Sequence, residues 1–208
     1  MLSEAEGPLL HKKPLRLCAS AVKFLYFFAP FAPSRLCVEY DFVHINNMQD
    51  TIKPTLIFTW GNPSRGDDAL GPYIHDWLKE KNIEYIDLLT DFQLQIEHSV
   101  DLEDRERILF VDASVSAKAP FEFYRLKPVA DESYTTHAMS PESLLATYQK
   151  VNNQAPPPAF MLSIRGYEFD LGQQISYEAI AHLTRAQEFI NLLLSNNSTD
   201  YWEQQQKQ

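Results

Sequence analysis

The chain has 208 residues, 45% of them hydrophobic, enough for one domain with a full core and too few for two comfortable ones. A net charge of −10 argues against a nucleic-acid partner, which needs a basic stripe to neutralise phosphates. Two cysteines, Cys18 and Cys37, cannot build a disulfide scaffold or a Cys-rich zinc site, and no apolar run reaches the roughly 18 residues of a membrane span.

The first fifty residues differ from the rest. Residues 1–53 carry a net +1 and the remainder −11, and residues 1–47 show no clean hydrophobic period. Lys12 and Lys13 precede the apolar stretch Leu15–Pro30 and Arg16 lies at its start, as in a secretion signal, but Lys23 interrupts it and no clear small-x-small cleavage site follows. Three readings stand: an upstream extension with Met48 as the start codon, an amphipathic appendage, or a targeting segment. The chain then divides into an extension (1–53), a domain (54–195) and a polar C-terminal tail (196–208), whose end, from Glu203, is expected to fray.

From residue 54 strands and helices alternate. Thr55–Trp60 is a β-rich run closed by the turn signal Gly61-Asn62-Pro63. Leu70, Ile74, Trp77 and Leu78 fall on one helical face. Glu84–Leu89 reads as a strand, and Gln93–Leu102 as a helix of ambiguous period. Arg107–Asp112 contains the continuous apolar run ILFV expected of a strand covered on both faces. Phe121–Leu126 alternates as an edge strand does. Ser140-Pro141-Glu142 opens a helix, with Ser as N-cap and Pro in the first turn. Ala159–Ile164 is a further buried strand, and Ser176–Leu194 a long helix with Ile180, Leu183, Gln187, Ile190 and Leu194 along its apolar stripe. This order predicts a three-layer α/β/α sandwich around a twisted, mostly parallel sheet. In such sheets ligands bind beyond the carboxyl ends of the strands, here just after Trp60, Val111 and Ile164.

Three groups stand at or near those ends: the pair Asp67-Asp68 in GNPSRGDDALGP, Asp112 at the end of ILFVD, and His137 in YTTHAMSPES. Two carboxylates and an imidazole suit a first-row divalent ion, or an acid and a base for hydrolysis. Plainer roles compete with these. Asp67 and Asp68 also fit as helix caps, Asp112 as an acceptor for loop amides, and His137 as a surface residue. Other chemistries fit poorly. The glycine loop lacks the order of a phosphate-binding loop, and no nucleophile elbow or HExxH zinc helix is present. Adjacent Glu97 and His98 would point about 100° apart on a helix and form no two-ligand face.

GNPSRGDDALGP resembles the opening motif of the hydrogenase maturation endopeptidases. The resemblance continues in order through DFQLQIEHSVDL, ILFVDAS, TTHAMSPESLL and LSIRGYEFDLGQQIS, covering residues 54–195. It implies a five-stranded twisted sheet between helices. It implies an enzyme that removes a short C-terminal extension from the precursor of a nickel–iron hydrogenase large subunit after nickel insertion. Asp68, Asp112 and His137 match the nickel-ligand positions, with Asp68 and Asp112 also the candidates for catalysis; Asp67 matches a frequently acidic position. The nickel is carried by the substrate, so no permanent cofactor is implied, and the setting implied is the cytoplasm. Ala69 stands where many relatives have glycine, and the long N-terminal extension departs from relatives that begin close to the first strand. The competing class is a non-catalytic metal- or small-molecule-binding module on a flavodoxin-like scaffold, since one architecture hosts unrelated tasks.

Overall fold

A computed structural model describes residues 52–129 and 139–207. All the elements below belong to one unit, Gln49–Gln208. The strands are β1 (Thr55–Trp60), β2 (Ile86–Asp91), β3 (Arg107–Ser114), β4 (Phe121–Arg125) and β5 (Ala159–Arg165). The helices are α1 (Leu70–Lys81), α2 (Pro141–Asn152), α3 (Tyr177–Leu194) and α4 (Thr199–Gln204), with 3-10 turns at Gly66–Ala69, Ile96–Leu102 and Gln205–Lys207.

The five strands form one sheet in the order β2-β1-β3-β5-β4. β1, β2, β3 and β5 run parallel and β4 is the antiparallel edge. The alternating pleat sends successive residues of β3 to opposite sides. Leu109 and Val111 join Ile57, Leu162 and the buried faces of α1 and α3. Ile108 and Phe110 join Leu56, Phe58 and the Leu144, Leu145 and Tyr148 face of α2. Both sheet faces are therefore covered, which is why ILFV is apolar at every position. The fold is the expected three-layer, five-stranded, mostly parallel sandwich.

Local signals act as read at α2: Ser140 Oγ accepts from Ser143 N at 3.2 Å, and Pro141 occupies the first turn. Four expectations need correction. β2 starts at Ile86 rather than Glu84 and runs on through Thr90 and Asp91, because its ladder with β1 pairs Thr55 with Ile86 and Trp60 with Asp91. The segment read as a helix over Gln93–Leu102 is a 3-10 turn, Ile96–Leu102. On α3 the buried face runs through Ala179, Ala186, Ile190 and Leu193 while Ile180 is exposed, since the two alanines allow close approach to the sheet.

The fourth correction concerns the tail, which is anchored rather than frayed. Trp202 in α4 is 1% exposed, donates from Nε1 to Leu193 O at 2.8 Å, and packs edge-on to Phe160 at 5.5 Å. The buried Arg107 guanidinium reaches Thr55 Oγ1 (3.0 Å), Thr199 Oγ1 (3.3 Å), Glu106 (2.8 Å) and Asn197, tying the start of α4 to the amino end of the sheet. Beyond it, Gln206 Oε1 accepts from Arg125 N at 2.9 Å, and Arg125 pairs with Glu203 at 2.8 Å. One large aromatic side chain entering the core outweighs the polar composition around it.

Candidate active site at the carboxyl edge of the sheet

The parallel strands β1, β2, β3 and β5 end on one edge, which brings together Gly61, Asp91, Asp112 and Gly166. Register places Thr59 beside Val111 and Asp112 beside Ser163. Asp112 follows Phe110 on the pleat, so it lies on the α2 side of the sheet, as does Trp60 two residues beyond Phe58.

Asp68 leaves the 3-10 turn after β1. Its Oδ2 accepts from Asn62 N at 2.9 Å, and its amide donates to Arg65 O at 3.1 Å, so the turn closes on itself. Gly61 makes this closure feasible: it sits at φ +137°, and a Cβ there would lie 2.0 Å from the carbonyl oxygen of Asp68. The half-buried carboxyl of Asp112 accepts from the Ala113 amide at 2.7 Å and has the Trp60 indole near it. Burial, and after it the neighbouring Asp68 carboxylate, push Asp112 up to about 7 against a weaker pull from the Ala113 amide and the indole. Asp68 and Asp112 thus share one electrostatic environment, although 44 residues separate them in sequence.

Asp67 has the opposite fate. It is 0% exposed, and its carboxylate accepts from Tyr167 N (2.7 Å), Glu168 N (3.1 Å), Ser176 N (2.7 Å) and Ser176 Oγ (2.8 Å). Burial alone would raise its pKa; the three amides and the hydroxyl together outweigh burial and hold it below the ordinary carboxylate value. Ser176 is the N-cap of α3, so Asp67 joins the β1 loop to the next crossover rather than capping the helix it precedes. Further bonds close the same seam: Asp67 N to Glu168 O (2.7 Å), Gly66 N to Gln173 O (3.1 Å) and Gly172 N to Ser64 O (2.7 Å). Gly166 admits this approach, because a Cβ there would stand 2.9 Å from Asp67 Cβ and 2.7 Å from the Phe169 ring.

Two of the motifs noted in the sequence, GNPSRGDDALGP and LSIRGYEFDLGQQIS, are therefore one structural unit held by Asp67. A third, DFQLQIEHSVDL, also has a packing basis. Leu94 and Leu102 are buried, and His98 is held in one tautomer, its Nδ1 accepting from Gln95 N at 3.0 Å and its Nε2 facing Asp91 at 3.4 Å. The His98 ring lies 4.7 Å from Phe58. This imidazole joins the 3-10 turn to β2. His137, the remaining site candidate, lies outside the described residues. Among the described residues no group of three or more His, Cys, Asp and Glu could hold a metal. Sequence reasoning missed Trp60, whose indole lies near Asp112, and Asn62, whose amide donates to Asp68. An indole at the end of β1 was the signal for the first, but the strand register that places it beside Asp112 was not legible.

With the geometry in place, the chain can be set beside solved structures. It superimposes on the [NiFe] hydrogenase maturation protease HycI from Thermococcus kodakarensis KOD1 with a TM-score of 0.54 and 20% identity, covering 69% of this chain and 94% of that one. The hydrogenase maturating endopeptidase HybD from E. coli gives 0.54 and 21%, covering 68% and 91%. This chain has the maturation-protease fold. A hydrogenase 2 maturation peptidase from Thaumarchaeota archaeon SCGC_AB-539-E09 scores 0.51 at 22% identity, covering 69% and 99%. No protein-family model and no curated protein matches the chain.

Proposed function

We propose that the chain is an endopeptidase that removes the C-terminal extension of a nickel-loaded hydrogenase large-subunit precursor, in the cytoplasm, using the nickel carried by the substrate as its recognition element. The observation that carries this reading is the placement of Asp68 and Asp112: two carboxylates, one from the turn after β1 and one from the end of β3, half-buried and electrostatically coupled at the edge where α/β sheets bind ligands. The shared fold and the ordered motifs support it.

In this reading Asp68 and Asp112 offer oxygens to the substrate's nickel, and His137 adds a nitrogen, a donor set that suits Ni(II). Holding the ion fixes the adjoining peptide against the site, and such positioning lowers barriers by several kcal/mol, up to about 7–11 in model systems. Water adds to the scissile carbonyl, the C–N bond breaks, and the departing amine takes a proton. The Ala113 amide, which donates to Asp112 Oδ1 at 2.7 Å, keeps this carboxylate aimed at the ion.

The test is processing of a hydrogenase large-subunit precursor on a gel, nickel-loaded and nickel-free. The reading expects a shortened product only from the loaded form. Equal cutting of both forms refutes nickel recognition, and cutting of neither refutes the peptidase.

A further inference from the structure

A cleft of about 340 Å³ opens at the same sheet edge, on the β1–β2 side. Gly61 and Pro63 of the β1 loop, Pro72 of α1, and Thr90 and Phe92 at the end of β2 line it, with His75, Asp76 and Asp91 completing the wall. Three features make it a side-chain pocket. Its size is at the small end for ligand sites, too small for a large cofactor. Its walls are dominated by two proline rings and by Phe92, a phenyl ring 68% exposed whose backbone is pinned by a 2.6 Å bond from its amide to Asp91 Oδ1. A large ring held open to water beside a cleft is unaccounted for by the core.

Its position relative to Asp68 decides the occupant. The Asp68 carboxylate is bonded at 2.9 Å to the amide of Asn62, and the residues on either side of Asn62, Gly61 and Pro63, both line the cleft. A polypeptide held at Asp68 advances at most about 3.3–3.6 Å per residue, so one or two residues carry it over the opening. We propose that this cleft is a specificity pocket for the cleaved polypeptide, taking one large apolar side chain of the precursor within about two residues of the scissile bond. The proposal rests on the peptidase reading and adds to it a determinant of which precursor is cut. Phe92 and Thr90 are its specificity-determining residues; neither bonds to Asp68 or Asp112 in this structure.

Two readouts separate the pocket from the reading beneath it. In the first, precursors carrying Leu, Ala or Asp at each residue flanking the scissile bond are processed by the parent chain and by Phe92→Ala and Thr90→Trp. The pocket predicts that the parent prefers Leu over Asp at one flanking position. Both variants then raise KM for the Leu precursor roughly tenfold with kcat kept, and leave the Ala precursor little changed. Unchanged Leu:Ala:Asp ratios in both variants overturn it. In the second, a photoreactive benzophenone side chain replaces Phe92 and the nickel-loaded precursor is irradiated with it. Adducts within a few residues of the scissile bond support the pocket; adducts elsewhere, or none, overturn it. Capture at that place without cutting retracts the peptidase and keeps the pocket, and cutting without capture there does the reverse.

Discussion

Asp67 and Asp68 are adjacent and chemically identical, and their surroundings give them different tasks. Asp67 ends among three amides and a hydroxyl, each of which loses its acceptor if the carboxylate is removed. Asp67→Ala should cost about 3 kcal/mol or more, read by denaturant unfolding, since buried donors left unpaired cost roughly 1–3 kcal/mol each before relaxation. Asp68→Ala should leave the unfolding midpoint within about 1 kcal/mol and abolish processing. The pair was legible in sequence as acidic and near a helix start. Which member faces the site was not, because that depends on contacts 100 residues away. Asp112 brings a pH dependence. Its folded carboxyl holds a proton up to about 7 against an ordinary value of 3.8, so the folded chain binds protons more tightly than the unfolded one between those limits. Stability contributed by this group is therefore present at low pH and withdrawn as pH rises from about 4 to about 7. Asp112→Asn should flatten that part of the Tm–pH curve; an unaltered slope would show that Asp112 is not held protonated. Asp67, with a depressed pKa, acts with the opposite sign, its stabilisation being lost as pH falls below the ordinary carboxylate value.

Elements with strong local signals were legible. α1, α2 and the buried strands follow from period and caps, because burial on one helical face or both sheet faces leaves a direct pattern in sequence. Where several long-range partners share the work, the pattern fails. The 3-10 turn Ile96–Leu102 is fixed by His98 against Gln95 and Asp91, a polar tie with no helical period. The α3 stripe is only partly legible because Ala179 and Ala186 share the buried face with Phe189, Ile190, Leu193 and Leu194, and alanine adds little to an apolar period. α4 was missed because six residues give no period, yet its Trp202 fills a core position against Phe160. Trp202→Ala should cost roughly 3–5 kcal/mol, lowering the thermal midpoint by several degrees while leaving the carboxyl edge untouched. A neutral effect would show that α4 is not integral to the core.

Across the whole molecule, the crossovers place ordered sequence motifs side by side at one edge. GNPSRGDDALGP and LSIRGYEFDLGQQIS are bonded through Asp67, ILFVDAS delivers Asp112, and DFQLQIEHSVDL packs into the core on the α2 side. The spacing of these motifs reflects the geometry of a parallel sheet as well as the demands of a site, which is why a resemblance in sequence order carried the fold at about 20% identity to solved structures. The amino end of the sheet, by contrast, is closed by Arg107 and α4. The central claim, that two carboxylates, from the turn after β1 and from β3, act on one nickel-bearing precursor, is tested most directly by assaying Asp68→Asn, Asp112→Asn and His137→Ala beside the parent on nickel-loaded precursor, with folding checked by circular dichroism. The account predicts folded variants that each lose at least about a hundredfold in processing rate, a loss typical of removing a group that acts on the reacting centre. Folded Asp68→Asn and Asp112→Asn variants that process at the parent's rate would contradict it.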